Sequence, residues 1–258
     1  MSFMKKGDWY KLFLFILFIG FWIWAAINPA YPDDWLLENY LVFIFVPLIL
    51  IFGYYFKLSN LSYTLITIFM VLHVIGAHYT YSEVPFGYVL QDWFNANRNM
   101  FDRLVHFSFG LLLAYPMREI LMRLGRLKGI WAYYFPIDFV LAGSVIYELI
   151  EWGSAAIVDP QAGLAFLGTQ GDIWDAQKDM LMAGLGSICA MLITLFVNLG
   201  LNDNLGMEIR ESLKIPEGDK PLGEIKIMEF LNRNKNKRNI KKYKVKRYNA
   251  QRDKIKEI

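Results

Sequence analysis

Residues 172–199 read DIWDAQKDMLMAGLGSICAMLITLFVNL. Asp172, Asp175 and Asp179 stand on the threshold of a long apolar run. On a helix they fall at i, i+3 and i+7, so they share one narrow face. Strongly apolar sequence follows Asp179 at once. A bare carboxylate beside hydrocarbon is costly, so this acid requires a partner, water or an ion. The run 175–199 is also long enough to cross a bilayer core, which takes about 20 apolar residues.

Five further runs of that kind precede it, at 12–27, 41–56, 61–79, 101–124 and 129–152. The chain is 55% hydrophobic and 17% aromatic with mean hydropathy +0.29, too apolar for an ordinary soluble domain of 258 residues. A bilayer admits helices or closed barrels, and these runs are too long and too poorly alternating for barrel strands. The predicted fold class is therefore all-α, a polytopic membrane bundle of about six transmembrane helices. Its domain is expected over 1–200, followed by a basic tail over 201–258. The intervening stretches 28–40, 80–100 and 153–174 read as loops or connections, and Pro47 reads as a kink in the second helix.

Lys5, Lys6 and Lys11 precede the first run, an arrangement shared with signal peptides. No clean small-x-small cleavage site follows, so a retained first helix is the reading. The single cysteine, Cys189, lies in the last run and reads as a small packing residue.

Orientation follows from Lys and Arg. Lys57 lies between the second and third runs, and Arg118, Arg123, Arg126 and Lys128 lie between the fourth and fifth. From Lys226 onward there are 13 Lys or Arg against Glu229, Asp253 and Glu257. The alternate loops carry little positive charge, Arg98 and Arg103 excepted. The positive-inside rule then places both termini in the cytoplasm of a multi-pass cell-membrane protein. Membrane lipids are its expected partners. The tail residues Lys241, Lys242, Lys244, Lys246 and Arg247 are the candidates for holding anionic lipid, and no specific nucleic-acid binding is expected.

That topology sorts the ionisable residues. His73 and His78 close the third helix, Asp102 and His106 open the fourth, Glu148 and Glu151 close the fifth, and the aspartates open the sixth. All lie towards the extracytoplasmic face. Asp102 and His106 are i, i+4 and can touch. Glu148 and Glu151 share a face, and two close carboxylates suit acid/base work. His73 and His78 are i, i+5 and point apart. The catalytic candidates are His106, Asp102, Glu148, Glu151, Asp175 and Asp179. The metal-ligand candidates are His73, His106, Glu148 and Asp179, since imidazole with carboxylate suits a divalent ion. Each has a structural counterpart: Arg103 or Lys178 pairing with Asp102 or Asp179, helix-start acids at 172 and 175, and close packing at Gly184 and Gly186. No H-E-x-x-H, phosphate loop or dinucleotide fingerprint occurs.

Four motifs, HVIGAHYTY at 73–81, DRLVHF at 102–107, YELIEW at 147–152 and GDIWDAQKDM at 171–180, together resemble the YjdF-type family of bacterial inner-membrane proteins. The resemblance spans 9–199 and leaves out the tail. The order D-x3-H-F, a glutamate motif, then D-x3-D is more loosely similar to the VanZ-like membrane proteins, although the arginine of that pattern is missing here. The resemblance implies an inner-membrane location and supplies no mechanism. Three classes of function stay open: an enzyme acting on a lipid or envelope substrate, a small-solute or proton-coupled transporter, and a structural protein whose cluster locks helices.

Overall fold

The computed structural model describes residues 6–157, 169–215 and 222–256. Described residues outside loops are helical, in the order α1 (Lys6–Ala26), α2 (Pro32–Tyr55), α3 (Asn60–Tyr79), a 3-10 turn (Tyr81–Glu83), α4 (Pro85–Trp93), α5 (Phe101–Arg123), α6 (Trp131–Ile157), α7 (Asp175–Leu201), α8 (Leu205–Ser212) and α9 (Leu222–Lys256). Six of these, α1, α2, α3, α5, α6 and α7, have the length and composition to span a membrane. The all-α, six-span reading is therefore the architecture. Large apolar side chains on their outer faces, such as Ile51, Ile146 and Phe196, are exposed, as lipid contact demands.

The boundaries differ most in three places, besides shifts such as the start of α1 at Lys6. The stretch 28–40, read as a loop, is helical from Pro32. Proline at the first turn with Asp33 and Asp34 behind it is a helix-start signal as much as a loop signal. The fifth span runs on to Ile157, past the expected end at 152. The connection 80–100 contains the 3-10 turn and the short helix α4. In addition, Cys189 faces outward and is exposed, so it is no packing residue.

Contacts divide the chain into Met1–Leu213 and Lys214–Ile258. In the first unit, one apolar core gathers Phe18, Val42, Phe69, Val74, Phe101 and Val105 from α1, α2, α3 and α5. A second joins Ala114, Val140, Ala183 and Met191 from α5, α6 and α7. The α5–α7 contact is the closest. A side chain at Gly110 would strike the backbone of Ala183 and Ser187, and one at Gly186 would strike that of Phe107 and Leu111. Small residues at such a crossing let two backbones touch, which is the main attraction between helices in lipid.

Two polar ties set the register. At one end the Glu119 carboxylate accepts from Ser59 N (2.9 Å) and Ser62 Oγ (2.6 Å), while Arg123 donates to Glu119 and to the Lys57 carbonyl, both 2.6 Å. This fastens the start of α3 to the end of α5. At the other end Ala30 N donates to the His78 carbonyl, 2.9 Å, bringing the entry to α2 beside the end of α3. The second unit is described by α9, a helix of 35 residues, so the tail is far more helical than its composition indicates. Lys241, Lys242, Lys244 and Lys246 are exposed on it, and the side chain of Arg247 lies outside the described residues.

Candidate functional site

The site is built where α5, α6 and α7 meet at the end of the bundle shared by the last turn of α3. Its scaffold is a pair of loops. Buried Asn99, just before α5, donates to the Val84 carbonyl (2.9 Å) and accepts from Phe101 N (3.0 Å). Gln170, before α7, accepts from Asn99 N (2.9 Å) and donates to the Asn99 carbonyl (3.3 Å). The amide side chain pairs with the main chain as a strand would, and so brings the approach to α7 against the approach to α5. Neither residue stood out in the sequence, because nothing local distinguishes a tethering amide from a solvated one.

Two arginines fill the space thus created. Arg103 donates to Asp172 (3.3 Å), to the Asp175 carboxylate (2.5 Å) and carbonyl (3.2 Å), and pairs with Asp179. Arg98 pairs with Asp175, approaches Asp102 (3.4 Å) and donates to the Thr169 carbonyl (3.3 Å). Lys178 bonds Asp172 at 2.7 Å from the solvent side. That hydrogen bond, with one from Trp174 N, holds the Asp172 carboxyl below its usual value of 3.8. The ion pair expected of Arg103 with Asp179 is present, whereas Lys178, expected to neutralise Asp102 or Asp179, pairs with Asp172 instead. Arg98 was legible only as an exception to the charge pattern, yet it stands four residues before Asp102, the spacing of a helical ion pair.

Beneath the arginines the acids turn their remaining oxygens inward. His106 Nε2 lies 3.6 Å from Asp102 Oδ1 and 3.5 Å from Glu148 Oε1. One ligand atom each from Asp102, His106 and Asp179 falls within 4.8 Å of the others. The side chains of Glu148 and Asp179 are 10% and 3% exposed. Glu148 Oε1 and Asp179 Oδ1 nevertheless have no hydrogen-bond partner among the described residues. Buried oxygens of native proteins are rarely left so.

His73 sits elsewhere. Its Nε2 is 3.2 Å from the Glu38 carbonyl, which can only accept, so Nε2 carries the hydrogen. A neutral ring then accepts at Nδ1 from the Tyr81 hydroxyl, 2.5 Å away. Burial, reinforced by Glu38, Asp102 and Glu151, pushes that hydroxyl well above its usual 10.0 and keeps it a donor. His78 faces α1: Nδ1 bonds the Ala25 carbonyl (3.1 Å) and the ring lies 4.6 Å from that of Trp24. The two histidines point apart, as their spacing requires. Tyr147 links the two groups, with its ring edge-on to His106 and its hydroxyl donating to Glu38 at 3.2 Å. The structure thus brings Asp102, His106, Glu148, Asp175 and Asp179 together, sets Glu151 one turn behind them, and gives both nitrogens of His73 to other partners. Glu38 was hidden by the loop reading of 28–40.

Over residues 10–199 the chain matches the family described as "Predicted membrane protein (DUF2238)". The chain belongs to this family. The DUF2238 protein is also 42% identical over 171 residues to the inner membrane protein YjdF of Escherichia coli strain K12, covering 66% of this chain and 81% of that relative. The resemblance drawn from the four motifs is therefore shown, and with six apolar spans this DUF2238 member is an integral membrane protein. No solved structure matches it.

Proposed function

We propose that this protein is a membrane enzyme whose reactive groups are His106, Glu148, Asp102 and Asp179, working at the extracytoplasmic face on a lipid or other envelope substrate. The observation that carries the reading is the orphaned Glu148 Oε1, held 3.5 Å from His106 Nε2 in a buried site. A histidine between two carboxylates can take a proton from a substrate and pass it on. The extracytoplasmic placement rests on the Lys and Arg distribution.

Part of the cluster supports a locking role instead. Arg98, Arg103, Asp172 and Asp175 satisfy one another and tie α7 to the start of α5. His106 and Glu148 take no part in that lock, and groups ordered at such cost without structural partners fit a reaction. The transporter reading favours charges at the bilayer midplane and internal repeats, whereas Asp102, His106, Asp175 and Asp179 lie in the first turns of α5 and α7.

The test is conversion of a native envelope lipid extract by the full-length protein in lipid nanodiscs, followed by mass spectrometry. A product that accumulates with the wild type and falls at least tenfold with His106→Ala or Glu148→Gln is expected. Unchanged extracts, with the protein shown to be folded, would overturn the reading.

The basic helix α9 supports an anionic lipid surface as partner, each Lys or Arg near such a surface contributing about 1 kcal/mol. In vesicles with anionic lipid, tryptic cleavage within 222–256 should slow relative to neutral vesicles, and 1 M salt, on the order of a 3 Å screening length, should abolish the difference. Equal cleavage rates would remove the proposal.

A further inference from the structure

The spacing of the buried donors has a second consequence. A hydrogen bond between nitrogen and oxygen closes to roughly 2.7–3.2 Å. The separations of 3.6 and 3.5 Å from His106 Nε2 to Asp102 Oδ1 and Glu148 Oε1 are longer. They match another geometry. Two ligands of one tetrahedral ion, each bound at about 2.1 Å, stand roughly 3.4 Å apart.

The arginines fit the same pattern. Arg98 engages Asp102 through Oδ2, leaving Oδ1 towards His106. Arg103 engages Asp179 through Oδ2, leaving Oδ1 without a partner among the described residues. Each aspartate is thus oriented by a cation on one oxygen while the other oxygen stays available, which is how outer residues position metal-binding carboxylates. Glu148 adds a further carboxylate oxygen beside His106 with no donor among the described residues. Around His106 the acids Asp102, Glu148, Asp175 and Asp179 outnumber the two arginines, so the buried charge balances only with protons or a cation.

We propose that Asp102, His106 and Asp179 hold one divalent first-row transition-metal ion, with Glu148 beside His106 as a neighbouring carboxylate. One imidazole with two carboxylates suits Mn2+, Fe2+ or Zn2+ better than a thiolate-seeking ion. His73 is outside the set, since Tyr81 and the Glu38 carbonyl occupy its ring nitrogens. The proposal deepens the site named above and rests on the same residues, but its test does not depend on any substrate.

Full-length protein in detergent is stripped with chelator, reloaded separately with Zn2+ and Mn2+, desalted and measured for bound metal, with thermal unfolding followed in parallel. About one ion per chain and a rise in Tm on reloading are expected for the wild type and for His73→Gln. His106→Ala and Asp179→Asn should lose at least tenfold in affinity while keeping the elution profile of a folded protein. Absence of bound metal and of any Tm shift in the wild type would overturn the proposal, a result independent of variant folding. So would undiminished binding by His106→Ala. Conversion of lipid by metal-free protein would leave the enzyme reading standing and remove the metal. Stoichiometric metal with no conversion of any extract would do the reverse.

Discussion

Arg103→Ala is expected to cost about 3–5 kcal/mol of stability, the range found when one member of a buried ion pair is removed. The guanidinium is 6% exposed and serves Asp172, Asp175 and Asp179 together. Its loss leaves three acids at and just before the start of α7 with Arg98 and Lys178 as the remaining cations near them. Arg103→Lys should recover little, because a point charge on a flexible stem cannot reproduce a fork that reaches three carboxylates. The measurement is thermal or denaturant unfolding in detergent, with Asp179→Asn added to Arg103→Ala. If the double variant is more stable than Arg103→Ala, the destabilisation came from stranded charge. If Arg103→Ala alone unfolds like the wild type, the arginine is not the centre of the lock.

Gly186→Leu is expected to be similarly severe, about 3 kcal/mol, at the upper end for forcing volume into a filled contact. The obstacle is the main chain of α5 at Phe107 and Leu111, which cannot rotate away. Relief requires α5 and α7 to separate, and Arg103 would then no longer reach Asp175 and Asp179. A neighbouring glycine supplies the control. A side chain at Gly184 would meet the tip of Leu141, 3.0 Å from the new Cβ, and a flexible side chain can yield. Gly184→Ala should therefore change Tm by a few degrees at most, roughly what 1 kcal/mol gives in a protein of this size, whereas Gly186→Ala should change it more. Equal effects at the two positions would show that backbone contact does not govern this crossing.

How legible the site was varied with distance along the chain. The pairing of Asp102 with His106 was visible because helical spacing alone brings i and i+4 together. The divergence of His73 and His78 was visible for the same reason. The choice of Asp102 over His73 beside His106 was not, because it depends on which way α3 is turned in the bundle, and an all-round apolar helix gives no such direction. Arg98 and Gln170 act through partners some 70 residues away, and only the docking of two loops shows what they hold. The start of α2 was misread because Pro32, Asp33 and Asp34 serve equally well in a loop and in a first helical turn.

The number of spans, the membrane class and the family motifs follow from the sequence by itself, because the cost of placing polar backbone and charge in hydrocarbon is paid residue by residue and leaves its mark in composition and run length. The tertiary structure decided which acids face arginine and which face His106. That assignment is set by the contact of α5 with α7 through Gly110 and Gly186, and by the tie of Gln170 to Asn99. Each is an encounter between distant segments, and distance in the chain carries no information about the angle at which two helices meet.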